Sequence, residues 1–244
     1  NYPVSEGPFP VILFVHGGGF LKGDKDFTDP ENTFIAAEVA EYRQNGYAVI
    51  SMNYRLAKTP PQNIPANDPN FAIFPNTTQD AVYAIEFLRD NAHEFNIDPE
   101  GVIAYGSSAG AILLFPLVYG DYSLEDRPNF FINRVGMTDA TQFNSGLLNA
   151  YLGTNTPSLA LKQAMSAVHI LNNTTTEAVP TYSLYAGAAG VPPVPNPHNT
   201  YFGVALHTVL DAEGATNALY VQDPNDPNTN YTPEMIMEQI ERVI

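Results

Sequence analysis

Apolar and polar positions fall in blocks along the chain, and the blocks predict strand followed by helix several times over. Val11-Ile12-Leu13-Phe14-Val15 is a continuous apolar run of strand length, as expected of a strand covered on both faces. Residues 34–44 carry apolar side chains at helical spacing, after a helix entry at Asp29-Pro30-Glu31-Asn32 and before a stop at Asn45-Gly46. Residues 47–53 form the next expected strand. A Pro- and Asn-rich stretch then runs to about Pro75, an irregular connection of the kind that often borders a binding site. A helix is expected from Asp80 to about Phe95, capped by Thr77 or Thr78, with Ala81, Ile85, Leu88 and Ala92 facing a sheet.

Residues 96–101 have the composition of a turn, and Val102-Ile103-Ala104-Tyr105 begins the next strand. A further strand is expected at 218–221, after a helix at 201–213 whose buried stripe is Phe202, Ala205, Leu206 and Val209. A helix closes the chain. This alternation places the chain in the α/β class, with a largely parallel sheet, helices on both faces and ligands at the carboxyl ends of the strands.

Composition narrows the functions available. The 244 residues, 44% of them hydrophobic, suffice for one substantial core, and a single domain over 1–244 is expected. A net charge of −16, from 26 acidic and 10 basic residues, disfavours binding to phosphate backbones or anionic membrane surfaces, so neither nucleic acid nor a membrane is expected as partner. No apolar run is long enough to span a bilayer. Asn1 cannot initiate translation, which fits a leader already removed, and the acidic surface suits an extracellular as well as a cytoplasmic setting. Without Cys there is no disulfide, thiolate nucleophile or Cys-based metal site. No pair of histidines has ligand spacing and no dinucleotide-type glycine fingerprint occurs, so no metal or cofactor is expected. Oligomeric state is left open.

Two motifs carry candidate chemistry. Gly106-Ser107-Ser108-Ala109-Gly110 joins a strand to an apolar helical stretch, and small residues on both sides of Ser108 permit the sharp turn that exposes a nucleophilic hydroxyl. The same five residues also suit an ordinary flexible turn. Upstream, His16-Gly17-Gly18-Gly19-Phe20 directly follows the first strand, and its glycines can turn backbone N–H groups toward an anion.

On these two motifs, together with Met52-Asn53-Tyr54-Arg55-Leu56, the helix containing Asp80 and Phe95-Asn96-Ile97-Asp98-Pro99, the chain resembles α/β-hydrolases. The likeness is to the carboxylesterase group that includes hormone-sensitive-lipase-like and type-B esterases. It implies an α/β-hydrolase fold with a small helical excursion at about 140–175. Because only about ten residues precede the first clear strand, the opening strands are expected to be shortened or missing. It further implies a serine hydrolase acting on small carboxylic esters. Ser108 would be the nucleophile, the N–H groups of Gly18, Gly19 and Ala109 an oxyanion hole, and His16 a residue that shapes the glycine loop.

The second half departs from that pattern. Where the group carries its acid, in a Gly-x-x-Asp turn after the strand at 181–187, this chain has Gly187-Ala188-Ala189-Gly190. Where the catalytic histidine is expected, after the last strand, residues 222–230 contain none. Of the five histidines, His93 and His169 suit structural positions, and His207 falls on the outer face of its helix with Asp211 one turn on. His198 ends the stiff loop Val191-Pro192-Pro193-Val194-Pro195-Asn196-Pro197, which leaves the carboxyl end of a central strand. In one reading the roles are exchanged: His198 is the base, and Asp223 or Asp226 supplies the orienting carboxylate. In the other, His198 caps or packs the helix that follows. The function expected is therefore a serine esterase with a rearranged site, or a catalytically degenerate relative with a binding role. Phe20, Phe71, Phe74 and Tyr151 are candidates for an apolar substrate wall.

Overall fold

The structure is a computed structural model that describes residues 6–58, 74–190, 195–226 and 229–243. Six strands form one sheet: β1 (Phe9–Val15), β2 (Ala48–Met52), β3 (Ile97–Ser107), β4 (Phe130–Arg134), β5 (Thr181–Ala186) and β6 (Asn217–Gln222). Their order is β2-β1-β3-β4-β5-β6, and every pairing is parallel. Parallel strands need crossovers, and helices supply them: α1 (Thr33–Gln44), α2 (Asn76–Asp90), α3 (Ala92–Phe95), α4 (Ala109–Tyr119), α5 (Gly146–Tyr151), α6 (Leu159–Ala164), α7 (Ala167–Leu171), α8 (Thr200–Ala212) and α9 (Pro233–Glu241). Among the described residues no strand precedes β1.

The period of two along each strand sorts the core into two layers. Val11, Leu13, Val15, Val102, Ala104 and Phe131 point toward α2, α4, α7 and α8. Ile12, Phe14, Ile103, Tyr105, Phe130 and Ile132 point toward α1 and α9. Burial of each large side chain contributes about 1.5–3 kcal/mol, which is why the central strands read as unbroken apolar runs. Helix α4 lies buried along its whole length, as its all-apolar sequence requires.

Registers β1 to β3 decide where the chemistry can be. Val15 pairs with Gly106, so the loop after β1 and the turn after β3 leave the sheet side by side at its carboxyl edge.

Several boundaries differ from those expected. The turn expected at 96–101 is partly strand, because β3 begins at Ile97, opposite Phe9. The long helix breaks at Asn91 into α2 and α3. Thr77 and Thr78 lie inside α2, not at its cap; Thr77 Oγ1 meets the Tyr151 hydroxyl at 2.8 Å, and Thr78 Oγ1 donates to the Leu113 carbonyl at 2.8 Å. Strand β4, five residues between Pro128-Asn129 and Val135-Gly136, is not expected from the hydrophobic pattern.

Candidate active site

Ser108 stands at the junction of β3 and α4 with φ 51° and ψ −112°, a conformation that costs a non-glycine residue about 1–3 kcal/mol. Neighbouring contacts hold it there. Its N–H donates to the Arg134 carbonyl at 2.8 Å, and its own carbonyl accepts from the N–H of Ala111 and Ile112 at 3.1 Å each. A Cβ at position 110 would lie 2.1 Å from the Val15 carbonyl oxygen, and one at 106 would lie 2.5 Å from Ala111 Cα. Only glycine lets helix, strand and turn approach this closely.

The loop after β1 is built with equal constraint. Gly18 and Gly19 have φ of +99° and +62°, and the Gly18 carbonyl accepts from the N–H groups of Leu21 and Lys22. His16 is buried beneath the loop: its Nδ1 lies 2.8 Å from the Gly17 carbonyl oxygen and its ring stacks on Tyr54 at 4.3 Å. The Tyr54 hydroxyl donates to the carbonyls of His16 and Gly17. With those carbonyls engaged, the loop turns its N–H groups elsewhere. Among the described residues nothing accepts the N–H of Gly18, Gly19 or Ala109.

His198 Nε2 lies 2.7 Å from Ser108 Oγ, across 90 residues of sequence. The turn bearing His198 is anchored to the end of β5. Asn196 Oδ1 accepts the His198 N–H, Asn199 Oδ1 accepts the N–H groups of Gly190 and Tyr201, and Thr200 Oγ1 donates to the carbonyls of Ala186 and Gly187. Although His198 is exposed at the mouth of the site, protein crowds its imidazole, and this desolvation lowers its pKa below the usual histidine value. The ring is therefore neutral, and able to accept a proton, at neutral pH.

Asp223 does not join this pair. Its carboxylate accepts from the N–H and side-chain amide of Asn225 within the same loop. Among the described residues no carboxylate, Asp226 included, pairs with His198. His207 lies where periodicity does not put it: it is buried, with Nδ1 bonded to Asn217 Oδ1, because the buried face of α8 is Phe202, Gly203, Leu206, His207 and Leu210. His93 is exposed, and His169 Nε2 is 3.3 Å from Asp139.

Ser108, Ala109, Gly18, Gly19 and His198 line one cavity of about 710 Å³. Apolar side chains from Ile112, Met137, Phe143, Leu147 and Leu148 form much of its wall, and Phe34, Lys22 and Arg134 complete another part. Phe20 lines it too, stacked at 3.7 Å on the buried Tyr151, against which Phe74 packs edge-on. Phe71 lies outside the described residues. The roles of Phe34, Phe143 and Arg134 carry no signal in the sequence, since each depends on which elements meet at the sheet edge. Among the described residues no cluster of three or more His, Asp or Glu could hold a metal.

A parallel sheet of this order, with a strained serine between strand and helix beside a glycine loop, defines an α/β-hydrolase. A family model described as BD-FAE matches residues 2–134, and the chain belongs to that family, within the α/β-hydrolase carboxylesterase group. It is similar to Carboxylesterase NlhH of Mycobacterium tuberculosis, 26% identical over 237 residues, covering 88% of this chain and 61% of that protein. The chain thus spans about three fifths of that relative's length. Neuroligin-2 of Mus musculus is 30% identical over 124 residues, 49% of this chain and 13% of the mouse protein. Among solved structures, an acetyl ester-xyloside bifunctional hydrolase from Caldicellulosiruptor lactoaceticus shares the fold, with a TM-score of 0.72 at 19% identity over 98% of this chain and 85% of the other.

Proposed function

We propose that the chain is a serine esterase that cleaves small carboxylic esters through an acyl-enzyme on Ser108, with His198 as the base. The observation that carries this reading is the 2.7 Å contact between Ser108 Oγ and His198 Nε2, in a cavity lined by Gly18, Gly19 and Ala109, whose N–H groups have no acceptor among the described residues. Ser108 Oγ attacks the ester carbonyl while His198 Nε2 takes its proton. The negative charge that develops on the carbonyl oxygen is received by the N–H groups of Gly18, Gly19 and Ala109. The tetrahedral intermediate collapses, the alcohol leaves with the proton returned by His198, and water repeats the sequence to release the acid.

Each oxyanion donor is worth on the order of 3 kcal/mol of barrier, and general-base assistance about 10²–10⁴-fold in rate. The test is hydrolysis of 4-nitrophenyl acetate by wild-type protein, Ser108→Ala and His198→Ala. Turnover is expected to vanish to background in the first variant and to fall by about 10²–10⁴-fold in the second.

The turn Gly187-Ala188-Ala189-Gly190, without a carboxylate, favours a second reading, a catalytically silent binding protein on the same fold. Folded wild-type protein with no Ser108-dependent turnover would support that reading over the first.

A further inference from the structure

Charge is distributed differently over the molecule and over its cavity. The chain carries 26 acidic and 10 basic residues, yet Lys22 and Arg134 are the charged residues along the Ser108 cavity, and no Asp or Glu is among its described lining. A surface with a net charge of −16 repels anions at long range, so a cation lining the cavity acts locally.

Arg134 is held by the elbow itself, since its carbonyl accepts the Ser108 N–H. Its guanidinium lies 3.8 Å over the Phe34 ring and 4.8 Å from the Tyr231 ring, two contacts that fix the plane of the group. Nη1 donates to Glu38 Oε1 at 3.3 Å and to the Tyr105 hydroxyl at 3.2 Å. Among the described residues nothing takes Nε or Nη2, and the side chain keeps 20% of its surface exposed. A guanidinium fixed in plane with an unused edge is matched to a planar carboxylate, which it can hold through two parallel hydrogen bonds. Glu38, itself buried, offsets part of the charge through its contact with Nη1.

We propose that the cavity selects esters bearing a carboxylate, such as half-esters of dicarboxylic acids or esters of hydroxy acids, with Arg134 gripping the carboxylate. This rests on Ser108 as nucleophile for its catalytic consequence, and on the Arg134 edge alone for binding.

Two matched pairs test it. Mono-4-nitrophenyl succinate against 4-nitrophenyl butyrate places the charge on the acyl side; 4-acetoxybenzoate against phenyl acetate places it on the alcohol side. In at least one pair kcat/KM is expected to favour the anion by about tenfold or more, and 1 M NaCl should shrink that preference. Arg134→Gln should lower the anion-to-neutral ratio by about tenfold, mainly through KM. A preference for the neutral member in both pairs, or a ratio untouched by Arg134→Gln and Arg134→Lys alike, overturns the proposal.

Calorimetric titration of monomethyl succinate into the Ser108→Ala protein separates the two readings. Binding that requires Arg134 upholds anion recognition even where no ester is turned over. Absence of both binding and turnover refutes it.

Discussion

Gly18 occupies φ +99°, and a methyl group there would lie 2.1 Å from the Lys22 carbonyl oxygen. The backbone must shift to admit it, and the N–H that shifts is one of the proposed oxyanion donors. Gly18→Ala is expected to lower kcat for a neutral ester by ~10²–10³-fold while the protein remains folded by circular dichroism. An unchanged kcat would remove Gly18 from the oxyanion hole. Glu38 poses a different question at the same scale. Its carboxylate accepts from Tyr42, Tyr105, Tyr231 and Arg134, but burial outweighs these partners and pushes its pKa up to about 6 from an ordinary 4.5. The folded state therefore holds the proton more tightly than the unfolded chain does. The stability this group contributes is complete below about pH 4.5 and is lost as pH rises through 6, by at most about 2 kcal/mol. Glu38→Gln cannot titrate. Denaturant unfolding at pH 4.5 and pH 7 should show wild type losing up to about 2 kcal/mol relative to the variant between the two, whereas a constant difference would contradict the shift.

Helix α8 shows where periodicity stops being informative. The sequence places Ala205 and Val209 on its buried stripe and His207 outside, whereas the structure buries His207 and leaves those two half-buried. The partner that makes this tolerable is Asn217 at the start of β6, which no pattern within the helix can reveal. His207→Ala is expected to cost about 1–3 kcal/mol of stability and to leave ester turnover within about twofold. A large loss of kcat with normal stability would give His207 a part in the chemistry. The same limit explains β4: Phe130-Phe131-Ile132 is a run of only three apolar residues before the polar Asn133 and Arg134, so Arg134, which ends the strand, is not visible as a cavity residue. By contrast β1, β3 and α4 are legible because long apolar runs fix both element type and burial, and β1 and β3 carry the two glycine motifs to one edge. His198 could be singled out because the sequence places it soon after β5, whose carboxyl end lies at that edge. A carboxylate partner for it could not, since Asp223 satisfies its own turn.

At the scale of the whole molecule, one sheet assembles three segments far apart in sequence: the loop after β1, the turn after β3 and the loop after β5. Pairing of Val15 with Gly106 aligns the first two, and pairing of β4 with β5 brings the third within reach. The resulting cavity is mostly apolar, which strengthens any charge interaction made inside it. A nucleophilic Ser108, as proposed, gives a shared purpose to the strain at that residue, the imidazole beside it and the N–H groups of Gly18, Gly19 and Ala109. Intact-mass spectrometry after exposure to a fluorophosphonate measures this most directly. Wild-type protein should gain one phosphonyl group, mapped to Ser108 by peptide sequencing, with much slower labelling in His198→Ala and none in Ser108→Ala. Folded wild-type protein that stays unlabelled, or is labelled elsewhere, would contradict the nucleophile and with it the esterase.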